Sequence, residues 1–157
     1  MVFSGKTYTL ERVQMIQLPR RAVFDFFSDA FNLERITPSF LNFKILTKAP
    51  INIQEGTLID YRIRLFGVPM NWRTRIERFE PDSEFVDTQI KGPYVLWHHT
   101  HVFEETADGT LMRDVVRYRL PVGVIGRVVH WLFVRRTLER IFDFRRDALT
   151  TCLGTEG

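Results

Sequence analysis

A chain of 157 residues with a single cysteine, Cys152, has the length of one domain and excludes the disulfide-stapled class, because no intramolecular bridge can form. Hydrophobic residues make up 45% of it and aromatics 13%, material enough for a packed core, so a disordered chain is excluded too. The formal net charge is only +3, but arginines crowd into Arg62 to Arg78, Arg113 to Arg119 and Arg127 to Arg146, so placement matters more than the sum.

No stretch approaches the ~20 apolar residues that cross a bilayer, and the opening MVFSGKTYTLERV lacks the apolar run of a signal peptide. The expectation is one soluble, cytoplasmic domain over residues 1–157, with no linker, repeat or low-complexity segment dividing it.

Thr7 to Leu18 has the β-branched content of a first strand, and Pro19 marks its end. Val23, Phe26 and Phe27 then give a short helix an apolar stripe, and Asn32 is placed to cap a second short helix ending near Pro38. Six further strands follow at about 43–48, 57–66, 70–80, 84–91, 94–105 and 110–120, each bounded by turn residues, as in an antiparallel meander.

Two hairpins assign the faces. With Asp108-Gly109 as a two-residue turn, Phe103 pairs with Asp114, His101 with Val116, His99 with Tyr118 and Trp97 with Leu120. One face then collects Trp97, His99, His101, Phe103, Asp114 and Tyr118, while Glu104 meets Arg113 on the other as a cross-strand ion pair, and His98 joins the arginines there. With Gly67-Val68 as the turn, Leu65 pairs with Met70, Ile63 with Trp72 and Tyr61 with Thr74, and Arg62, Arg64, Arg73 and Arg75 take the reverse side. The alternation slips near Arg78 and Phe79, which predicts a bulge.

From Val124 to Leu153 the pattern is helical, but its apolar phase moves: Ile125, Val128, Val129 and Leu132 share one side, and Leu138, Ile141, Phe142 and Leu149 lie about half a turn round. A kink, or two successive helices, is predicted near Phe133. The run VVHWLFV between Arg127 and Arg135-Arg136 is read as buried against the sheet end, with a cavity gate, a membrane surface or a dimer contact as alternatives.

The words FNLERITPSFLNF, GTLIDYRIRLFGVPMNWRTRIERFEP, FVDTQIKGPYVLWHHTHVF and LMRDVVRYRLPVG resemble the START/Bet v 1-like (SRPBCC) superfamily, in its bacterial polyketide cyclase/dehydrase-like branch. The resemblance spans nearly the whole chain and implies an α+β helix-grip fold: a seven-stranded curved antiparallel sheet around a long C-terminal helix, with two short helices after the first strand. It also implies a cavity between them for a small hydrophobic, aromatic or lipid-like ligand.

The inner face supplies that cavity with candidate walls and polar groups. Tyr61, Trp72, Thr74, Trp97, His99, His101, Asp114 and Tyr118 come from the two hairpins, and Asp87 and Gln89 join them if Phe85 faces the core. His101 and Asp114 are the candidates for acid/base chemistry. The rival readings are orientation of a ligand's polar end and a self-satisfied buried network. His99 and His101, with Asp114 or Asp87, have donor types suited to zinc, but no thiolate or third histidine accompanies them, so neither a metal nor another cofactor is expected.

The leading expectation is binding or carriage of a hydrophobic ligand. A polyketide cyclase, aromatase or dehydratase is the first alternative and a membrane- or protein-surface module the second. The arginine face has no interleaved aromatics, so no nucleic-acid partner is expected, and a monomer and a homodimer both stay open.

Overall fold

The computed structural model describes residues 5–65, 67–121 and 123–153. Within them run seven strands: β1 (Thr7–Ile16), β2 (Lys44–Ile45), β3 (Leu58–Leu65), β4 (Val68–Glu80), β5 (Glu84–Lys91), β6 (Leu96–Thr106) and β7 (Gly109–Arg119). They form one antiparallel sheet in the order β1-β7-β6-β5-β4-β3-β2, so the first strand closes beside the last and the meander fills the space between. The sheet is curved and the class is α+β, as the sequence leads one to expect.

Both hairpins turn one residue earlier than the sequence reading has them. Thr106 pairs with Gly109 and Leu65 with Val68, which moves every partner by two: His101 faces Asp114, His99 faces Val116, Trp97 faces Tyr118 and Tyr61 faces Trp72. A shift of two leaves each side chain on its own face, so the division into an inner aromatic face and an outer arginine face stands. Gly109 has φ +136°, and a Cβ on it would meet the backbone oxygen of Ile16 at 2.3 Å. Its glycine therefore answers the close approach of β1 and does not mark the centre of the turn. The new register puts Glu104 opposite Leu111, and Arg113 instead reaches Glu11 on β1 at 3.6 Å.

The expected bulge is present: Ile76 pairs with Asp87 but Arg78 with Val86, leaving Glu77 as the extra residue. It returns Phe85 and Asp87 to the inner side, opposite His101 and His99.

Pro19 opens α1 (Arg20–Phe27), which buries Val23, Phe24 and Phe27 against the sheet, so Phe24 takes the place expected for Phe26. Asp29, not Asn32, caps the following 3-10 turn (Ala30–Ile36): its carboxylate accepts from the Phe31 N–H at 3.0 Å, while Asn32 donates to the Phe26 carbonyl at 2.8 Å.

The C-terminal run is α2 (Gly123–Val129), a π turn (His130–Val134) and α3 (Arg135–Cys152). The wider turn absorbs the phase change predicted near Phe133, and α3 then lays Leu138, Phe142 and Leu149 on the sheet. Among the described residues no helix is long and apolar enough to cross a membrane. The reading of VVHWLFV as buried is overturned. Val128, Val129, Trp131, Leu132 and Phe133 are exposed, Trp131 at 68%, and only His130 and Val134 of that run turn inward.

Candidate functional site

The inner faces of β5, β6 and β7 meet in a box of four titratable side chains. His99 and His101, two apart on β6, point the same way and stack with ring centres 3.7 Å apart. Asp114 on β7 takes one end: His99 Nε2 donates to its Oδ1 at 2.8 Å. Asp87 on β5 takes the other: its Oδ2 lies 2.6 Å from His101 Nε2. The contacts between directly opposed residues are looser. His101 Nδ1 lies 3.2 Å from Asp114 Oδ1, a charge contact too poorly aligned for a hydrogen bond, and His99 Nδ1 lies 3.8 Å from Asp87 Oδ2. Phe85 stacks on His101 at 4.1 Å and the ring of Phe142 stands edge-on to His99 at 5.7 Å, so the box is fixed by apolar neighbours as well as by its own bonds.

Burial sets the electrostatics, and the partners modify it. Burial pushes His99 down, and the charge of His101 adds to it, so His99 falls below the ordinary histidine value despite its bond to Asp114. Burial pushes His101 down as well, but hydrogen bonding and the charges of Asp114 and Asp87 outweigh it and leave His101 raised. Burial opposes ionisation of Asp114, yet the two histidines hold it well below the usual carboxylate range; Asp87 is lowered in the same way, chiefly by His101. Of the two histidines, His101 is thus the one favoured to carry a proton and His99 the one favoured to be neutral. In that form His99 donates Nε2–H to Asp114, and its Nδ1 is an acceptor whose nearest carboxylate oxygen among the described residues is that of Asp87 at 3.8 Å.

Three adjoining cavities of about 210, 100 and 110 Å³ share walls beneath α3. Together they fall within the ~300–1,000 Å³ of small-molecule sites. The outer one lies between Leu65 and Met70 of the β3–β4 hairpin, Tyr94, and Leu138 and Ile141 of α3. The middle one is walled by Tyr61, Trp72, Trp97 and Phe142, and the inner one ends on Asp87, His99, His101 and Arg145.

Of the candidate residues, Tyr61, Trp72, Thr74, Asp87, Trp97, His99 and His101 line these spaces. The Thr74 hydroxyl is engaged there, accepting from Trp72 Nε1 at 3.1 Å and lying 3.3 Å from the Tyr61 hydroxyl. Asp114 stands behind the histidines and opens instead toward Arg12 and Gln14. Two candidates are placed elsewhere. Gln89 spends its amide on the loop before β6, donating to the Tyr94 carbonyl at 2.6 Å and accepting from the Tyr94 N–H at 3.0 Å. Tyr118 holds the start of the π turn, its hydroxyl 2.7 Å from Nε2 of the buried His130, whose ring stacks on Tyr8 at 3.5 Å. His98 faces outward, opposite Arg117.

Sequence reasoning missed Arg145. The signal was present: Leu138, Phe142 and Arg145 stand at i, i+4 and i+7, which puts the arginine on the buried stripe of α3. A charged residue in an arginine-rich helix reads as solvated unless that phase is followed to its end.

Asp87, His99 and His101 bring one metal-ligating atom each within 4.8 Å of one another. The two imidazoles lie 28° from parallel, however, so their lone pairs run side by side where a tetrahedral ion needs convergence. The short Asp87–His101 contact also leaves no room between those two ligands.

The model of the family "Polyketide cyclase / dehydrase and lipid transport" matches residues 16–144. No curated protein matches the sequence. Among solved structures, the Zhui aromatase/cyclase from Streptomyces sp. R1128 superposes with a TM-score of 0.75 at 12% identity, covering 95% of this chain and 94% of that one. TTHA0849 from Thermus thermophilus gives 0.63 at 15% identity over 94% of each chain, and a protein from Rhizobium leguminosarum gives 0.66 at 12% over 96% and 99%. At such identities these neighbours speak for the fold alone. The family match over most of its length is what places this chain: it belongs to the polyketide cyclase/dehydrase and lipid transport family.

Proposed function

We propose that the chain binds a small hydrophobic or aromatic molecule in the space beneath α3, with the ligand's polar end at the histidine box. The observation that carries this reading is the gradient along the cavity, from predominantly apolar walls at Leu65 and Leu138 to Asp87, His99 and His101 at the inner end. At ~25 cal/mol per Å², each 100 Å² of hidden ligand surface contributes about 2.5 kcal/mol, and the lost freedom of association costs at least ~4 kcal/mol. The apolar walls therefore supply most of the affinity, and one or two polar contacts decide which ligand is held. His99 Nδ1 is suited to accept from a ligand hydroxyl.

A cyclase or dehydratase would use the same space but asks more of His101, which would have to pass its proton to the bound molecule. Its Nε2 is tied to Asp87 and its Nδ1 is turned to Asp114, so neither nitrogen is aimed at a ligand. That favours binding and orientation over proton transfer.

Enlarging the space at Trp97 tests the reading. The aromatic alcohol 2-naphthalenemethanol should quench the fluorescence of Trp72 and Trp97 in the wild-type chain, and Trp97→Ala should weaken binding, followed by calorimetry, about tenfold or more. Unchanged affinity in that variant would remove the proposed location.

A specific observation favours a second role, at a surface. Ile125, Val128, Trp131 and Leu132 are exposed beside Arg127 and Arg135, the latter guanidinium 5.6 Å from the Trp131 ring, and Val129 and Val134 join this segment to the outer cavity. An apolar row with a tryptophan and a basic border suits the interface of an anionic membrane. The chain should sediment with phosphatidylserine vesicles, and Trp131→Ala with Leu132→Ala should abolish this while leaving 2-naphthalenemethanol binding intact. Equal sedimentation of both proteins would exclude the segment as the contact.

A further inference from the structure

Arg145 is the one cation reaching the inner cavity that has no counter-ion in contact among the described residues. Its side chain lies along Phe142, with the guanidinium carbon 5.1 Å from the ring centre, and borders both the middle and the inner cavity beside His99. Its Nε and Nη1 are buried and make no hydrogen bond. Among the described residues no carboxylate oxygen lies within 4 Å of it, although its neighbours Arg12 and Arg146 both reach Asp143, at 3.1 and 3.9 Å. The two nearby acids are committed elsewhere, Asp87 to His101 and Asp114 to His99.

A guanidinium with two buried, unsatisfied nitrogens is costly unless something occupies them. Water can do so in part; a ligand oxyanion does so with charge-assisted bonds about twice as strong as neutral ones. Asp87 and Asp114 each turn toward a histidine, so neither carboxylate competes for the guanidinium of Arg145 at contact distance.

We propose that the polar end of the ligand is an oxyanion, in its simplest form the carboxylate of a hydrophobic or aromatic acid, held by Arg145 while its apolar body lies between Trp72, Trp97 and Leu138. This rests on the binding reading given above and narrows it to a ligand class. Arg145 would then be the residue that separates acids from uncharged molecules of the same shape, because replacing the acid by an alcohol leaves the buried guanidinium unpaired.

The test uses two probes with the same ring system, 2-naphthoate and 2-naphthalenemethanol, titrated calorimetrically into the full chain at neutral pH. The wild type should bind the acid. Arg145→Met, which keeps the packing on Phe142, should weaken the acid at least tenfold and change the alcohol less than twofold, and Arg145→Lys should restore part of the loss. The inference is overturned if Arg145→Met weakens both probes equally, if it leaves the acid unchanged, or if the wild type binds the alcohol and not the acid. In that last case the cavity reading survives and only the ligand class falls, whereas failure of both probes to bind the wild type removes both. Should Arg145→Met fail to fold, the wild-type preference together with Arg145→Lys and Arg145→Gln decides the matter by the same ratio.

Discussion

Replacing Asp114 with alanine should lower the free energy of unfolding by about 3–5 kcal/mol, the range for breaking a buried charge pair from one side. Asp114 is 7% exposed, and its Oδ1 both accepts from His99 and faces His101. Its loss strands the Nε2–H of His99 in the core and leaves the proton on His101 with one carboxylate where it had two. Asp114→Asn keeps the shape and an acceptor, so it should cost less, about 1–3 kcal/mol. Urea unfolding measures both, and with a slope of ~1–3 kcal/mol per M the alanine variant should lose at least about 1 M in midpoint. A loss below 1 kcal/mol would mean that the four side chains are not coupled in solution.

The same box predicts the direction of the pH response. His101 is raised when folded, so its contribution is complete below the unfolded value of 6.5 and is lost as pH rises through the folded value. Asp87 and Asp114 are lowered, so theirs is present above 3.8 and disappears as pH falls through their folded values. His99 is lowered, so stability rises with pH from its folded value up to 6.5, on the acid side of the window in which His101 loses its contribution. Removing Asp114 withdraws one of the two charges that raise His101, and the fall in stability as pH rises above 6.5 should flatten in that variant.

Most of this site was legible because a strand has period two. His99 and His101 had to share a face, and the polar, arginine-bearing alternates had to leave it, whatever the register. The register itself was harder. Asp108-Gly109 carries the strongest short hairpin signal, but the demand on that glycine comes from β1, which pairs with β7 over a long sequence separation and leaves no local mark. That one displacement moved Asp114 from beside His101 to directly opposite it. Tyr118 was given the right face and the wrong neighbourhood, since alternation says nothing about position along the strand, and the π turn brings His130 to it. Asp87 required the bulge at Glu77 to be placed before its side could be known. Arg145 and VVHWLFV failed for opposite reasons: charge was read as exposure and hydrophobicity as burial, and in each the geometry of the helix decides otherwise.

Phe103→Ala should cost about 3–5 kcal/mol, since an aromatic of 1% exposure leaves a cavity that its neighbours cannot fill. Its ring centre lies 5.3 Å from Phe24, 5.6 Å from Phe27 and 6.0 Å from Phe85, so it joins the first helix to the sheet. Phe27 and Phe85 also wall the inner cavity, and Phe85 stacks on His101. The variant should therefore bind 2-naphthalenemethanol more weakly even at temperatures where it stays folded, because the wall behind the histidines has lost its support. Phe103→Leu, which keeps most of the volume, should lose clearly less of both stability and binding. Trp131→Ala provides the contrast. It removes a larger side chain, yet one exposed to solvent, and should shift stability by no more than ~0.5 kcal/mol. Urea midpoints of the three variants then locate the core directly: a Trp131→Ala loss comparable to that of Phe103→Ala would mean that the C-terminal segment is packed in solution and that its apolar row is not a surface available to a membrane.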